Sequence, residues 1–226
     1  MIKHVKISEQ DKKESKKLIL PKKEKTDLDY TRGIVQKPWG QEYLFFSDGK
    51  ISIWMLYILN EQSTSLHCHA KKTTFLLVLD GSVIVSTLKN KIKLSNNQAV
   101  KLDKKVFHST RATSTQGSWL IEIENSIEKE DVIRLKDVYG REKMPYTESK
   151  YIKKGRAQRL DNKEGSKMKF KDYLFSINTH EHIKDIKNVN NYCIVLSGSQ
   201  KGELTTIKSL KNKRFPVKII SIQEVK

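Results

Sequence analysis

An antiparallel β-sandwich or barrel is the fold class this sequence predicts, and three observations predict it. Between residues 37 and 125 apolar runs of strand length recur at short intervals. Turn residues such as Asn60-Glu61 and Asp80-Gly81 separate them, and no helix-period segment lies between. At 226 residues, roughly 70% of the unfolded chain's surface is buried on folding, so the core needs no disulfide or metal staple.

Taken in chain order, residues 1–30 hold the lysine pairs 12–13, 16–17 and 22–23 around one apolar run, Leu18-Ile19-Leu20, stopped by Pro21. So little apolar surface cannot offset the entropy of ordering, so a mobile basic arm with at most one docked turn is expected. Order is expected from Lys37-Pro38-Trp39-Gly40 onward. Ile51–Leu59 reads as a strand, and Phe75–Leu79 leads through Asp80-Gly81 into Val83-Ile84-Val85 with the signal of a hairpin. Gln98–Leu102 and Trp119–Ile123 complete the set, and Ile127–Tyr139 reads as a short helical or irregular closing segment ending at Gly140. These residues define a first domain over 31–141. Residues 142–226 open on a polar, glycine-containing stretch and return to β-like text.

A weak internal repeat links the two parts. Phe75–Ser82 resembles Tyr192–Ser199, and Trp119–Ile123 resembles Lys218–Ile222. Two readings stand: a reduced second β-unit packed on the first, or coincidence between hydrophobic strands.

Composition narrows the function classes. Hydrophobic residues make up 37% and charged residues 31% of the chain, and 44 basic against 26 acidic residues give +18. Lysine dominates that excess and is spread along the chain, without the clustered arginines and aromatics of a single-strand nucleic-acid platform. A solvated lysine-rich surface is the first reading, affinity for anionic small molecules the second and nucleic acid the third. No apolar run reaches the 18 residues of a membrane span. The first residues lead into lysines rather than an apolar signal core. The two cysteines, Cys68 and Cys193, form no CxxC pair, which fits a reducing cytoplasm.

Three of the six histidines fall where metal chemistry needs them. His67 and His69 share one strand face, two residues apart, and His108 follows Val106-Phe107. Three neutral imidazoles leave metal positions open for water or substrate. His67-Cys68-His69, Thr74 and Gly81 keep the spacing of the first cupin motif, and Asn97, Asp103, Lys105, His108 and Ala112 keep that of the second, of whose residues only the histidine is retained. The sequence thus resembles the cupins, and within them the type II phosphomannose isomerase domain. Pro38-Trp39-Gly40 matches its opening. Leu120-Ile121-Glu122-Ile123, Ile133-Arg134 and Asp137-Val138-Tyr139-Gly140-Arg141 match its close.

The resemblance covers 37–141 and implies a cupin jelly roll, followed by a β-rich C-terminal extension or a degenerate second cupin. It implies a divalent metal (Zn²⁺, Mn²⁺, Fe²⁺ or Ni²⁺) on His67, His69 and His108, a homodimer, and work on a phosphorylated or nucleotide-linked sugar. Isomerisation or epimerisation in carbohydrate or surface-polysaccharide metabolism is the expected reaction, with a non-catalytic sugar-binding cupin as the alternative. The departures bear on that choice. Thr74 stands where the family carries a ligating glutamate, and Lys71 and Lys72 lie near where it carries an arginine. A threonine supplies no negative charge, so an anionic ligand is expected to compensate the ion.

Glu122 alternates with Ile121 and Ile123, which makes it either the base of the reaction or a surface carboxylate. Arg111 either clamps a phosphate or is an exposed loop residue. Lys71 and Thr74 are further candidates for substrate contact. Arg134 and Arg141 either bind anionic substrate or pin the closing segment. His180-Glu181-His182 has no third histidine after it and is not expected to form a second site. Cys68 is expected to face the core.

Overall fold

The computed structural model describes residues 2–17, 33–128, 131–140, 152–153, 157–186, 192–212 and 214–225. The strands are β1 (Ile2–Val5), β2 (Ile34–Lys37), β3 (Gly40–Ser47), β4 (Ser52–Ile58), β5 (Leu66–Cys68) and β6 (Thr74–Asp80). Then come β7 (Ser82–Thr87), β8 (Lys91–Ser95), β9 (Ala99–Leu102), β10 (His108–Ala112), β11 (Ser118–Glu124), β12 (Ile133–Lys136) and β13 (Ile152–Lys153). β14 (Lys167–Phe170), β15 (Tyr173–His180), β16 (Tyr192–Val195), β17 (Leu204–Thr206) and β18 (Val217–Glu224) follow. One helix, α1 (Glu9–Lys17), lies near the start.

The all-β expectation holds. Two sheets make the first unit, an eight-stranded one in the order β1-β9-β6-β11-β4-β3-β2-β13 and a five-stranded one in the order β12-β5-β10-β7-β8. Their facing sides share one core, with Trp54, Leu56, Leu76 and Leu120 from the larger sheet against Val83, Val85, Leu94 and Ala112 from the smaller. This is the cupin jelly roll. The segment Pro38-Trp39-Gly40 makes the turn from β2 into β3. Trp39 is buried in that core, and Gly40 (φ 145°) lies so near Tyr57 that a Cβ would stand 2.0 Å from its carbonyl oxygen.

Four local expectations change. Asp80-Gly81 is not a hairpin turn: β6 pairs with β9 and β11, whereas β7 pairs with β8 and β10, so Gly81 (φ 85°) passes the chain from one sheet to the other. The closing segment contains β12, which pairs with β5 rather than forming a helix. The supposed mobile arm is ordered over 2–17, because β1 adds in parallel to β9 with Ile2 opposite Ala99 and Val5 opposite Leu102. Ser8 and Asp11 then cap α1 reciprocally. Leu18–Leu20 and the rest of that arm lie outside the described residues. Finally, the barrel's sheet is not confined to 31–141, since both β1 and β13 belong to it.

The C-terminal extension is a single five-stranded sheet, β14-β15-β18-β16-β17. It lies on the outer face of the eight-stranded sheet, where Phe45, Ile53, Leu77 and Ile121 share a core with Phe175, Ile177, Ile194 and Ile220. The internal repeat is reproduced in the ladder register. Phe75, Leu76 and Leu77 pair with Ile123, Glu122 and Ile121, and the repeat-related Tyr192, Cys193 and Ile194 pair with Ile222, Ser221 and Ile220. Equivalent residues of both copies meet in the shared core. Among the described residues no second sheet closes a barrel on the far side. There, 3-10 turns cover Cys193, Val195 and Ile219 with Ile207 and Leu210. Among the described residues the extension thus supplies one sheet of the kind a second cupin would use.

Phe175 is fully buried and meets the Phe45 ring edge-on, with centroids 4.8 Å apart. Phe175→Ala is expected to cost about 3–5 kcal/mol in urea denaturation. All three tryptophans, Trp39, Trp54 and Trp119, belong to the first unit, so their fluorescence transition should move to lower urea with the rest. An unmoved tryptophan transition would show that the two units do not share a core energetically.

Candidate metal centre and its cavity

Strand parity decides what the barrel interior contains. On β11, Trp119, Ile121 and Ile123 face the C-terminal sheet, so Leu120, Glu122 and Glu124 face inward. On β10, His108, Thr110 and Ala112 face inward while Ser109 and Arg111 face out. β5 pairs with β10 at a single position, His67 opposite His108. The three imidazoles therefore meet at the mouth of the barrel, with ring centroids 4.6 Å (His67–His108), 5.0 Å (His67–His69) and 5.6 Å (His69–His108) apart.

Each imidazole is locked the same way. Nδ1 of His67 lies 2.8 Å from the Ser65 carbonyl, that of His69 2.6 Å from the Asp131 carbonyl and that of His108 3.0 Å from the Val106 carbonyl. A carbonyl only accepts, so each Nδ1 carries a proton, and in a neutral ring the lone pair then sits on Nε2. Burial holds His69 well below the ordinary imidazole range, reinforced by the charge of Lys72, and burial lowers His108 as well. Nε2 of His69 is buried with no hydrogen-bond partner among the described residues. One ligand nitrogen from each ring lies within 4.8 Å of the others. Imidazoles fixed by carbonyls on one nitrogen and converging on the other are the donor set of a three-histidine divalent-metal site. The residues present therefore fit the ion that the sequence implies.

The histidines line a cavity of about 60 Å³ with Glu122, Arg134, Lys37, Glu42 and Thr110, walled by Trp39, Leu56, Leu76 and Val132. Glu122 is inward and 7% exposed, and Arg134 on β12, opposite His67 in register, is 8% exposed. The remaining candidates for substrate contact lie elsewhere. Lys71 is exposed and pairs with Glu128 at 3.0 Å on the surface. Arg111, three residues beyond His108, has the wrong parity and pairs with Glu61 outside the barrel. Thr74 faces inward but is 1% exposed and does not reach the cavity. Arg141 lies outside the described residues.

Two buried residues are not among the site candidates the sequence offers. Lys72, next to the candidate Lys71, is 1% exposed, with Nζ 2.7 Å from Glu124 and 2.9 Å from the Glu128 carbonyl. Glu124 is fully buried and, with Glu122, groups with His69. Period two from Glu122 could have found it. Two carboxylates thus stand beside His69, and one of them, Glu124, is paired with Lys72. Cys68 faces away from the site, packed with Phe107 and Ile133. His180 and His182 join no metal-ligand group among the described residues.

Fold and site define the class, a cupin with a three-histidine centre. A family model, mannose-6-phosphate isomerase C-terminal, matches residues 24–137, half of the chain, and the chain belongs to that family. No curated protein matches it. Among solved structures it is similar to KdgF from Halomonas sp., at 15% identity over 39% of this chain and 82% of that one, with a TM-score of 0.37. It is also similar to the capsular polysaccharide assembling protein CapF from Staphylococcus aureus, at 13% identity over 46% and 34%, TM-score 0.42. A cupin-superfamily sugar phosphate isomerase from Silicibacter pomeroyi matches at 8% identity over 42% and 61%, TM-score 0.35. No helix among the described residues is long and apolar enough to cross a membrane.

The placement of Cys68 has a direct chemical consequence. Burial pushes its thiol up to about 12, and Cys193 is buried too. At pH 8 native Cys68, followed with Cys193 replaced by Ser, should react with a disulfide reagent about 10³-fold more slowly than in denaturant, following the thiolate fraction. Rapid native labelling of that thiol would place Cys68 on the cavity side.

Proposed function

We propose that this protein is a metal-dependent cupin that isomerises or epimerises a phosphorylated or nucleotide-linked sugar, in carbohydrate or surface-polysaccharide metabolism of the cytoplasm. Family membership supports the sugar-phosphate class. One observation carries the catalytic reading: three imidazoles converge beside an inward, nearly buried carboxylate in one cavity. A divalent ion held by His67, His69 and His108 would act as a Lewis acid toward a sugar carbonyl or hydroxyl. Glu122 is the base: it takes a proton from the carbon next to the carbonyl and returns it to the neighbouring carbon, with no net gain or loss of electrons. Arg134, rather than Arg111 or Lys71, binds the anionic group of the substrate through its planar donors. Trp39, Leu56 and Leu76 exclude water from one wall of the cavity and so strengthen these charge interactions.

A non-catalytic sugar-binding cupin is the second reading. Thr74, where the family's first motif carries a glutamate, favours it.

Elemental analysis of the untagged protein should find near-stoichiometric metal, lost in His67→Ala/His69→Ala. Glu122→Gln should keep the metal and the fold while kcat on sugar phosphates falls by about 10²–10⁴. Arg134→Ala should raise KM, and Arg111→Ala should leave it within about twofold because a surface pair contributes little. Absence of metal after reconstitution with Zn²⁺, Mn²⁺, Fe²⁺ and Ni²⁺ would contradict the enzyme reading and leave the binding protein.

A further inference from the structure

Behind the histidines lies a buried ion pair that the proposed reaction does not use. Glu124 is completely enclosed, with one carboxylate oxygen 2.7 Å from Nζ of Lys72 and the other 3.3 Å from Oγ of Ser52. A buried ion pair contributes little net stability compared with apolar residues of the same size, so stability does not account for its position. What distinguishes it is the third neighbour. The oxygen that meets Lys72 also lies 3.9 Å from Nε2 of His69, the buried nitrogen that has no hydrogen-bond partner among the described residues. Two donors each about 2.0–2.2 Å from one zinc ion stand at most about 4.4 Å apart; the His69–Glu124 pair meets that limit, whereas Glu124 groups with His69 and Glu122 rather than with His67 and His108, so joining all three imidazoles on one ion requires its side chain to turn toward them.

We infer that Glu124 is a protein ligand of the metal, supplied from β11, with Lys72 as its ion-pair partner when no metal is bound. The inference rests on the reading of His67, His69 and His108 as a metal centre. Glu122 and Glu124 then divide the work by depth. Glu122 faces the cavity where a substrate arrives, and Glu124 sits behind the imidazoles, out of a substrate's reach. Directly across the ladder from Glu124, β6 contributes only the short inward side chain of Thr74. The strand pair thus places one carboxylate at this level. Lys72 keeps the Glu128 carbonyl as acceptor, so its ammonium remains anchored when Glu124 turns to the ion.

The test is titration with Co²⁺ alone, read as a dissociation constant and as the visible absorption that reports coordination number and ligand type. Lys72→Met/Glu124→Gln removes the pair without leaving either charge buried alone. Circular dichroism and tryptophan fluorescence verify its fold. That variant should bind Co²⁺ at least tenfold more weakly than the native protein, with an altered spectrum. Lys72→Met alone should bind at least as tightly as the native protein, because Glu124 loses its competing cation. Thr74→Glu/Glu124→Gln, which offers the carboxylate from the opposite strand, should recover affinity relative to Glu124→Gln. A folded double variant with native affinity and spectrum would overturn the role of Glu124 and leave the histidine centre standing. A native protein that binds no Co²⁺ would overturn both.

Discussion

Strand β11 is buried on both faces, and the site depends on that constraint. Ile121 and Ile123 are clamped between the barrel and the C-terminal sheet, which leaves Glu122 and Glu124 no direction but inward. A slip of one residue would place two carboxylates in the shared apolar core and two isoleucines against the histidines. That exchange costs several kcal/mol per unpaired buried charge, so the register has one solution. The neighbours are fixed with it. Glu122 pairs across to Trp54 and Leu76, and Glu124 to Ser52 and Thr74. The C-terminal sheet therefore contributes to the site without touching it, by making the outer face of β11 obligatorily apolar.

The histidines are set by a second kind of lock. Their orienting carbonyls belong to Ser65, Val106 and Asp131, all in loop segments beside β5, β10 and β12. Those loops are tied in turn. The Asp131 carboxylate accepts the backbone N–H groups of Ala70 and Lys71, at 3.0 and 2.8 Å. Asp11, from the N-terminal helix, accepts the N–H of Phe107 at 3.0 Å, one residue before His108. Ligand orientation in metal sites depends on such outer partners nearly as much as on the ligands. The N-terminal segment is thus part of the support of His108 as well as an added strand.

Much of the barrel was legible because its central strands are continuous apolar runs bounded by turn residues, as in Phe75–Leu79 and Trp119–Ile123. The three histidines were legible from spacing, and Glu122 from alternation. For Arg111 the sequence leaves two readings, and the same alternation selects the exposed one: three residues beyond His108 is the opposite face of β10. Lys71 and Lys72 could not be separated in that way. They lie between β5 and β6, where period two does not extend, and only the fold shows that Lys72 turns in. β1 was illegible for a different reason. Ile2–Val5 is short and half polar, and its pairing with β9 spans nearly a hundred residues, so no local signal announces it.

The tautomer of the three site histidines tests the centre most directly. In ¹⁵N-histidine-labelled protein, long-range ¹H–¹⁵N correlation spectra distinguish a protonated Nδ1 from a protonated Nε2. At neutral pH three of the six histidines should carry the proton on Nδ1, the minor form of free imidazole, and their Nε2 resonances should shift together when Zn²⁺ is added. Protonated Nε2 at His67, His69 and His108, with resonances indifferent to Zn²⁺, would contradict a centre held by carbonyl-locked imidazoles.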